Sequence, residues 1–379
     1  GFSITTPSST IGLSAMMGLI GGNPPVSATL NASIANTDLR ALAPAPAAEI
    51  VGMLPPYAPL LLTADIDGRM NSLRVNTLTA EIPRYISLSA SGAIADYADF
   101  NRASGELIIK GKLTDGNYIK PRLLDAKMQR QVNIPPIALA GHVNLRGGTA
   151  DGTLRATTGG GDVVLDAMWN NRATAYDIAL DLDRFPIQTI LPLSGLRDID
   201  ASATLSGHGL DPFATSTAAE ADITLHNAVV KGQQLSDISL KASLADGKAH
   251  VDATSTNRRA DFSLLADGNI AGQTMDWTFA TDVRNIDLRA LGLTDSVADG
   301  AVTLAGRASF TPAVASTRRK PGHPMRLQAD VDVSRLYWHM PGDAINADSL
   351  RLNFATADSA TTARLTNHDL TIDFSSPEP

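Results

Sequence analysis

Apolar and polar residues alternate one for one through most of this chain, and that period of two decides what it can become. "AYDIALDLDRF" sets Ile178, Leu180 and Leu182 on one face and Asp177, Ala179, Asp181 and Asp183 on the other. "ADITLHN" repeats the pattern with Ile223 and Leu225, and "SDISLKASLADG" with Ile238, Leu240, Ala242 and Leu244. "TMDWTFATDV" presents Met275, Trp277, Phe279 and Thr281, and "GAVTLAGRASF" presents Val302, Leu304, Ala308 and Phe310. Successive side chains of a strand point to opposite faces, so each segment has one oily and one wet face. Turn signals such as "ADG" at Ala245 to Gly247 and "GGG" at Gly159 to Gly161 separate the segments. Strands therefore recur roughly every dozen residues, as in hairpins and meanders.

Helical signal is sparse. "KPRLLDAKMQRQV" (Lys120 to Val132) predicts a helix, with Pro121 in its first turn and Leu124, Met128 and Val132 four apart. "PAAEIVGML" (Pro46 to Leu54) predicts a second, and "PIQTILPLSGL" (Pro186 to Leu196) one further turn. "TIGLSAMMGLIGG" reads equally as a short helix or a hydrophobic strand. These pieces are too few and too short to layer over a sheet. The oily face must be covered by a second sheet or by the sheet curling on itself. A curled sheet that does not close leaves an open apolar groove, a surface suited to lipids or a partner.

One phrase occurs twice. "TFATDVRNIDLRALGLTD" starts with strand spacing, then shifts to Ile286, Leu288, Leu291 and Leu293, which predicts a kink at Asp287-Leu288. "SIANTDLRALAP" at Ser33 to Pro44 is a near copy. A strand, a kink, a short cover segment and a further strand form a divergent unit of roughly 100 residues, longer than common solenoid repeats. The chain reads as one elongated, repeat-built fragment over 1–379, with sub-repeats at 25–136, 137–197, 198–297 and 298–379.

Composition excludes several chemistries. The 379 residues include no cysteine, so disulfides and thiolate sites are absent. A formal charge of −8 argues against nucleic acid as a partner. No run of 18 apolar residues is present to span a bilayer as a helix. The start, "GFSITTPSST", has no basic signal-peptide region and reads as part of a longer protein. His142 and His226 occupy wet positions of alternating strands, and no histidine has metalloprotease or triad context. Asp65 with Asp67, Asp181 with Asp183 and Asp330 with Asp332 are spaced as a strand's wet face, without a calcium-loop pattern. "TTGGGD" lacks the Lys-Ser/Thr and helix of a phosphate loop and reads as a hairpin turn. "PAVASTRRKPGHP" (Pro312 to Pro324), with Arg318, Arg319 and Lys320, reads as a solvated loop open to nicking. No enzyme, cofactor or metal signature emerges.

The recurring kink (Asp38, Leu39, Leu42; Asp287, Leu288, Leu291) and the strands after it resemble the AsmA-like proteins, including the TamB type of Gram-negative envelopes. The stretch "DIDASATLSGHGLDPFATSTAAEADITLHNAVVKGQQLSDISLKASLADGKAHVDATS" (Asp198 to Ser255) is most similar to them. The texture covers Ala138 to Phe310 and, more thinly, Pro25 to Asp115. The family has no catalytic signature to transfer. The resemblance implies a mostly β fold: an elongated, curled antiparallel sheet, taco-like, with an apolar lumen and a few short helices. It implies a periplasmic part of an inner-membrane-anchored protein, with the anchor outside this fragment. It further implies phospholipid transport between the two membranes, or help in outer-membrane protein assembly.

Two functions follow as expectations. One is a non-catalytic conduit whose groove is lined by Ile178, Leu180, Leu182, Ile223, Leu225, Ile238, Leu240, Trp277, Phe279, Val302 and Leu304. Acyl chains need only a dry surface, worth roughly 25 cal/mol per Å² buried. The alternative is a scaffold whose sheet edges pair with strands of an outer-membrane client. For any single residue in the groove set, ordinary core packing is the competing role; the stripe as a whole is what marks a groove.

Overall fold

The computed structural model describes residues 1–18, 22–42, 55, 57–272, 274–289, 299–313, 325–340, 342–357 and 360–376. Among the described residues it is mostly antiparallel β, with only short helical segments. Two compact units divide the chain at Ile199/Asp200.

The first unit is built from β1 (Phe2–Thr5), β2 (Thr10–Met17), β3 (Pro25–Ile34), β4 (Leu60–Arg69), β5 (Ser72–Ile82) and β6 (Ile86–Ala95). It continues with β7 (Ser104–Leu113), β8 (Ile137–Arg146), β9 (Thr149–Thr158), β10 (Gly161–Asn170) and β11 (Ala175–Phe185). Each strand pairs antiparallel with the next in sequence, from β1 to β11. β12 (Leu196–His208) carries the chain into the second unit.

The second unit contains β13 (Ala218–Val230), β14 (Gln233–Leu235), β15 (Ile238–Ala245), β16 (Lys248–Asn257), β17 (Ala260–Asn269) and β18 (Met275–Asp287). β19 (Asp299–Thr311), β20 (Arg326–Met340), β21 (Asp343–Ala347), β22 (Leu350–Ala357), β23 (Ala360–Thr366) and β24 (Thr371–Ser376) complete it. The same order holds, except that short β14 and β21 branch off: β13 pairs with both β14 and β15, and β20 with both β21 and β22.

Turn chemistry sets the register. Between β9 and β10 the chain reverses over Gly159 and Gly160, at φ of 56° and 97°. Two consecutive left-handed residues make the tight turn whose twist suits flanking strands, which fits the hairpin expected of "TTGGGD".

Among the described residues the helical elements are single turns or little more: α1 (Asn36–Leu42), a 3₁₀ turn at Asn117–Ile119, α2 (Lys120–Leu123), α3 (Met128–Gln131) and α4 (Ile187–Ile190). The one helix expected over Lys120 to Val132 is thus two separate turns. Asp125 is the cause: its Oδ1 accepts from the backbone N–H of Lys127 at 2.9 Å and of Met128 at 2.8 Å. A side chain that binds backbone two and three residues on competes with helix continuation. "TIGLSAMM" is strand β2. The helix expected at Pro46 to Leu54 lies outside the described residues, as do Arg318, Arg319 and Lys320.

In the first unit, helical segments follow β3, β7 and β11, strands that run the same way, so all leave from one end of the sheet. Each exit crosses the turn that leads into the preceding strand. After β3, Asp38 Oδ2 accepts from Ser9 Oγ at 2.6 Å, Thr6 Oγ1 at 2.8 Å and Ser8 Oγ at 2.9 Å, all in the turn before β2. After β7, the Thr114 N–H donates to the Tyr85 carbonyl at 2.7 Å, and the Tyr118 ring packs edge-on against Tyr85. After β11, Pro186 sits over the turn before β10, where a Cβ on Gly159 would lie 3.2 Å from Pro186 Cγ. Ile34, Ile82 and Thr158, at this end, are buried.

The repeated phrase has two different outcomes. Its first copy forms α1. In the second copy the strand does not kink at Asp287; β18 runs on through that residue. The change of phase at Ile286 is a β-bulge, with the register against β19 shifting between Val283 and Ile286. Both copies nevertheless latch to the same place. The Asp287 N–H donates to the Arg259 carbonyl at 2.8 Å, in the turn before β17, as Asp38 grips the turn before β2. Leu291 and Leu293 lie outside the described residues.

Candidate functional site: an uncovered apolar sheet face

Residues directly opposite in an antiparallel ladder share a face, so the registers assemble each unit's faces strand by strand. In the first unit one row runs Leu30, Ala64, Leu78, Ala90, Ile109, Gly141, Leu154, Leu165, Leu180. The adjacent row runs Ala32, Leu62, Ala80, Leu88, Gly111, Leu139, Ala156, Val163, Leu182. No ionisable residue stands in either row. From β3 to β8 large and small residues alternate across strands, and the large ones lean over the small. A Cβ on Gly111 would lie 2.8 Å from Leu88 Cδ2 and 3.4 Å from Leu139 Cβ.

The second unit follows the same plan. Ile223 pairs with Leu240, Leu240 with Ala253, and Ala253 with Leu264. Leu264 pairs with Thr281, Thr281 with Leu304, and Leu304 with Val333. Trp277 and Phe279 cover glycines: a Cβ on Gly268 would meet the Trp277 ring at 2.6 Å, and one on Gly306 would meet Phe279 Cζ at 2.9 Å.

The residues expected to line a groove therefore fall on the apolar face of their own unit. Ile178, Leu180 and Leu182 lie in the first unit. In the second, Leu225 pairs with Ile238 and Ile223 with Leu240, while Val302 pairs with Val283 on the face shared with Trp277 and Phe279. All are half-buried except Ile223, which is exposed.

Among the described residues nothing seals this face. Among the described residues the buried apolar side chains, besides Pro55, Pro135 and Pro186, are Ile34, Ile82, Ala103, Ala228, Ala253 and Ala260, four of them alanines. Leu78 and Leu88 remain 40% exposed and Leu154 38%. In an ordinary domain such positions would be core.

In the first unit the face deepens into a hollow of about 390 Å³. Gly141, Gly152, Ala150 and Ala167 form its floor, and Ile109, Val143, Leu154, Leu165, Trp169, Tyr176 and Ile178 its walls. His142, Asp151 and Thr153 border it, but in wet-face positions of their strands; Asp151 Oδ2 accepts from Asn144 Nδ2 at 3.0 Å there. Sequence reading missed the floor because glycine and alanine interrupt a stripe of large apolar residues. The signal was present in "GDVVLDAMW", where Val163, Leu165, Ala167 and Trp169 keep period two.

The opposite face is a lattice of paired charges. In the second unit Arg284 bridges Asp261 and Asp282, Arg351 reaches Asp332 at 2.6 Å, and Arg364 reaches Asp373 at 2.6 Å. The Arg284 guanidinium holds the Asp261 carboxyl below its usual range. The Asp330/Asp332 spacing is accounted for by Asn353 on Asp330 and Arg351 on Asp332. Asn76 donates to Asp67 at 2.9 Å. His142 and His226 are exposed, and His226 Nε2 lies 2.9 Å from Ser202 Oγ. Among the described residues no group of three His, Asp or Glu is placed to hold a metal ion. No helix there is long and apolar enough to cross a membrane.

No family model matches the chain, and comparison with curated proteins finds no match.

Proposed function

We propose that the chain is a non-catalytic lipid-handling segment whose uncovered apolar face takes up phospholipid acyl chains. One observation carries this: rows of apolar residues run from β3 to β11 without an ionisable group, yet large members such as Leu78, Leu88 and Leu154 stay exposed. An acyl chain needs contact area and dryness, not fixed polar groups, and this face supplies both. The resemblance to AsmA-like proteins supports the same reading. With it comes the proposed setting: a periplasmic part of an inner-membrane-anchored envelope protein of a Gram-negative cell, carrying phospholipid between inner and outer membranes.

The test is extraction. Delipidated protein is incubated with vesicles holding a fluorescent phospholipid and re-isolated. The reading expects label to travel with the protein, and Leu180→Asp or Leu225→Asp to reduce it while circular dichroism stays unchanged. Retention of all label by the vesicles refutes the reading. Unfolding on these changes means that the face is sealed core. Capture of an unfolded outer-membrane protein without any lipid favours the scaffold alternative.

A further inference from the structure

The 390 Å³ hollow over β7 to β11 is more specific than the face around it. Its depth comes from four small residues, Gly141, Ala150, Gly152 and Ala167, of which Gly152 and Ala167 stand directly opposite each other. At about 390 Å³ it lies at the small end of ligand-sized clefts, a size that suits one alkyl chain. The two ends of this unit's sheet also differ. One carries the helical segments and the buried Ile34, Ile82 and Thr158. Toward the other, the hollow finishes at Trp169 and Tyr176, which face each other across β10 and β11. Both rings have an apolar body and a polar tip, the type of side chain that suits a boundary between oil and water. Beyond them, the hairpins of the same end carry the exposed Arg146 and Arg172.

Resting on the acyl-chain reading above, we infer that this hollow is a discrete site for a single-chain anionic amphiphile. The alkyl chain lies over Ala167 and Gly152, and the anionic head emerges past Trp169 and Tyr176 toward Arg172 and Arg146. A long-chain carboxylate and a single-chain phosphate share this chemistry.

Trp169 reports on the site directly. With Trp277 and Trp338 replaced by Phe, the full chain is titrated with dibrominated stearate, dibrominated lysophosphatidate and dibrominated stearyl alcohol. Saturable quenching of Trp169 by either anionic probe is expected, and the tighter of the two identifies the head. The alcohol binds at least threefold more weakly. Ala167→Leu places a larger side chain on an exposed floor position and weakens quenching at least tenfold. Ala179→Leu, on the opposite face of neighbouring β11, leaves it unchanged and controls for folding. Equal quenching in the Ala167→Leu variant overturns the site, as does quenching only by vesicles of dibrominated phosphatidylcholine. Equal affinity for alcohol and anion overturns the assignment of the head. If Trp169 is unquenched while phospholipid is still extracted, the site is wrong and the conduit reading stands. If nothing binds anywhere, both fall.

Discussion

Truncating a leucine on the apolar face measures how open that face is. Leu88 is 40% exposed and its Cδ2 overhangs Gly111. Leu→Ala removes carbons worth about 0.8 kcal/mol each when fully buried, about 2.4 kcal/mol for three. With about 60% of the residue withdrawn from water, the loss becomes about 1.4 kcal/mol. No cavity term is added, because the space left behind is open to solvent. In a closed core the same change costs about 2.7–5 kcal/mol, the excess coming from a void that cannot fill. The assay is urea denaturation in the Trp277→Phe, Trp338→Phe background, where Trp169 reports on the first unit alone. An unchanged m-value licenses reading the midpoint shift as stability. Leu78→Ala and Leu154→Ala should match Leu88→Ala within a few tenths of a kcal/mol. Losses near 4 kcal/mol at all three positions would show that the face is sealed and the groove account mistaken.

Three further outcomes follow from local geometry. Gly111→Ala should cost about 1–3 kcal/mol by overpacking, and most of that should return in the Gly111→Ala/Leu88→Ala double variant, read from the same urea curves. Gly160→Ala should cost about 1–2 kcal/mol through backbone strain, since φ is 97° and nothing lies within 4 Å of the added carbon. Hydroxyl donors from Ser9, Thr6 and Ser8 lower the Asp38 pKa below 3.8 in the fold. Its stabilising contribution is therefore present above about pH 4 and fades as pH falls from 3.8 through the native value. Wild type should be more stable than Asp38→Ala at pH 6, and the difference should shrink in thermal melts below pH 3.5; a constant difference would contradict the linkage.

Much of the architecture was written locally. Ile178, Leu180 and Leu182 in β11, and Ile238 and Leu240 in β15, declare their face by period alone, because a strand has only two sides. The turn at Gly159-Gly160 was legible because few residues tolerate two positive φ angles in succession. The bulges were not: Arg284-Asn285 and Asn76-Thr77 put two polar residues in a row, a signal easily taken for a strand's end. The α2–α3 break depended on a single Asp125 carboxylate competing for two backbone donors. The latch of Asp38 onto Thr6, Ser8 and Ser9 spans about thirty residues, and no local pattern announces such a contact. The hollow escaped for a related reason. Ala150, Gly152 and Ala167 make room by being small, and only the register of β8 to β10 brings them side by side.

Native mass spectrometry of the full chain, purified from a Gram-negative host without detergent, reads the lipid occupancy of the apolar face. The account predicts a fraction carrying phospholipid-sized adducts at one or more per chain, released on activation and reduced when Leu165 and Leu180 are both changed to Asp. A chain that appears only at its bare mass, with vesicle-derived phospholipid failing to add to it afterwards, would contradict the account.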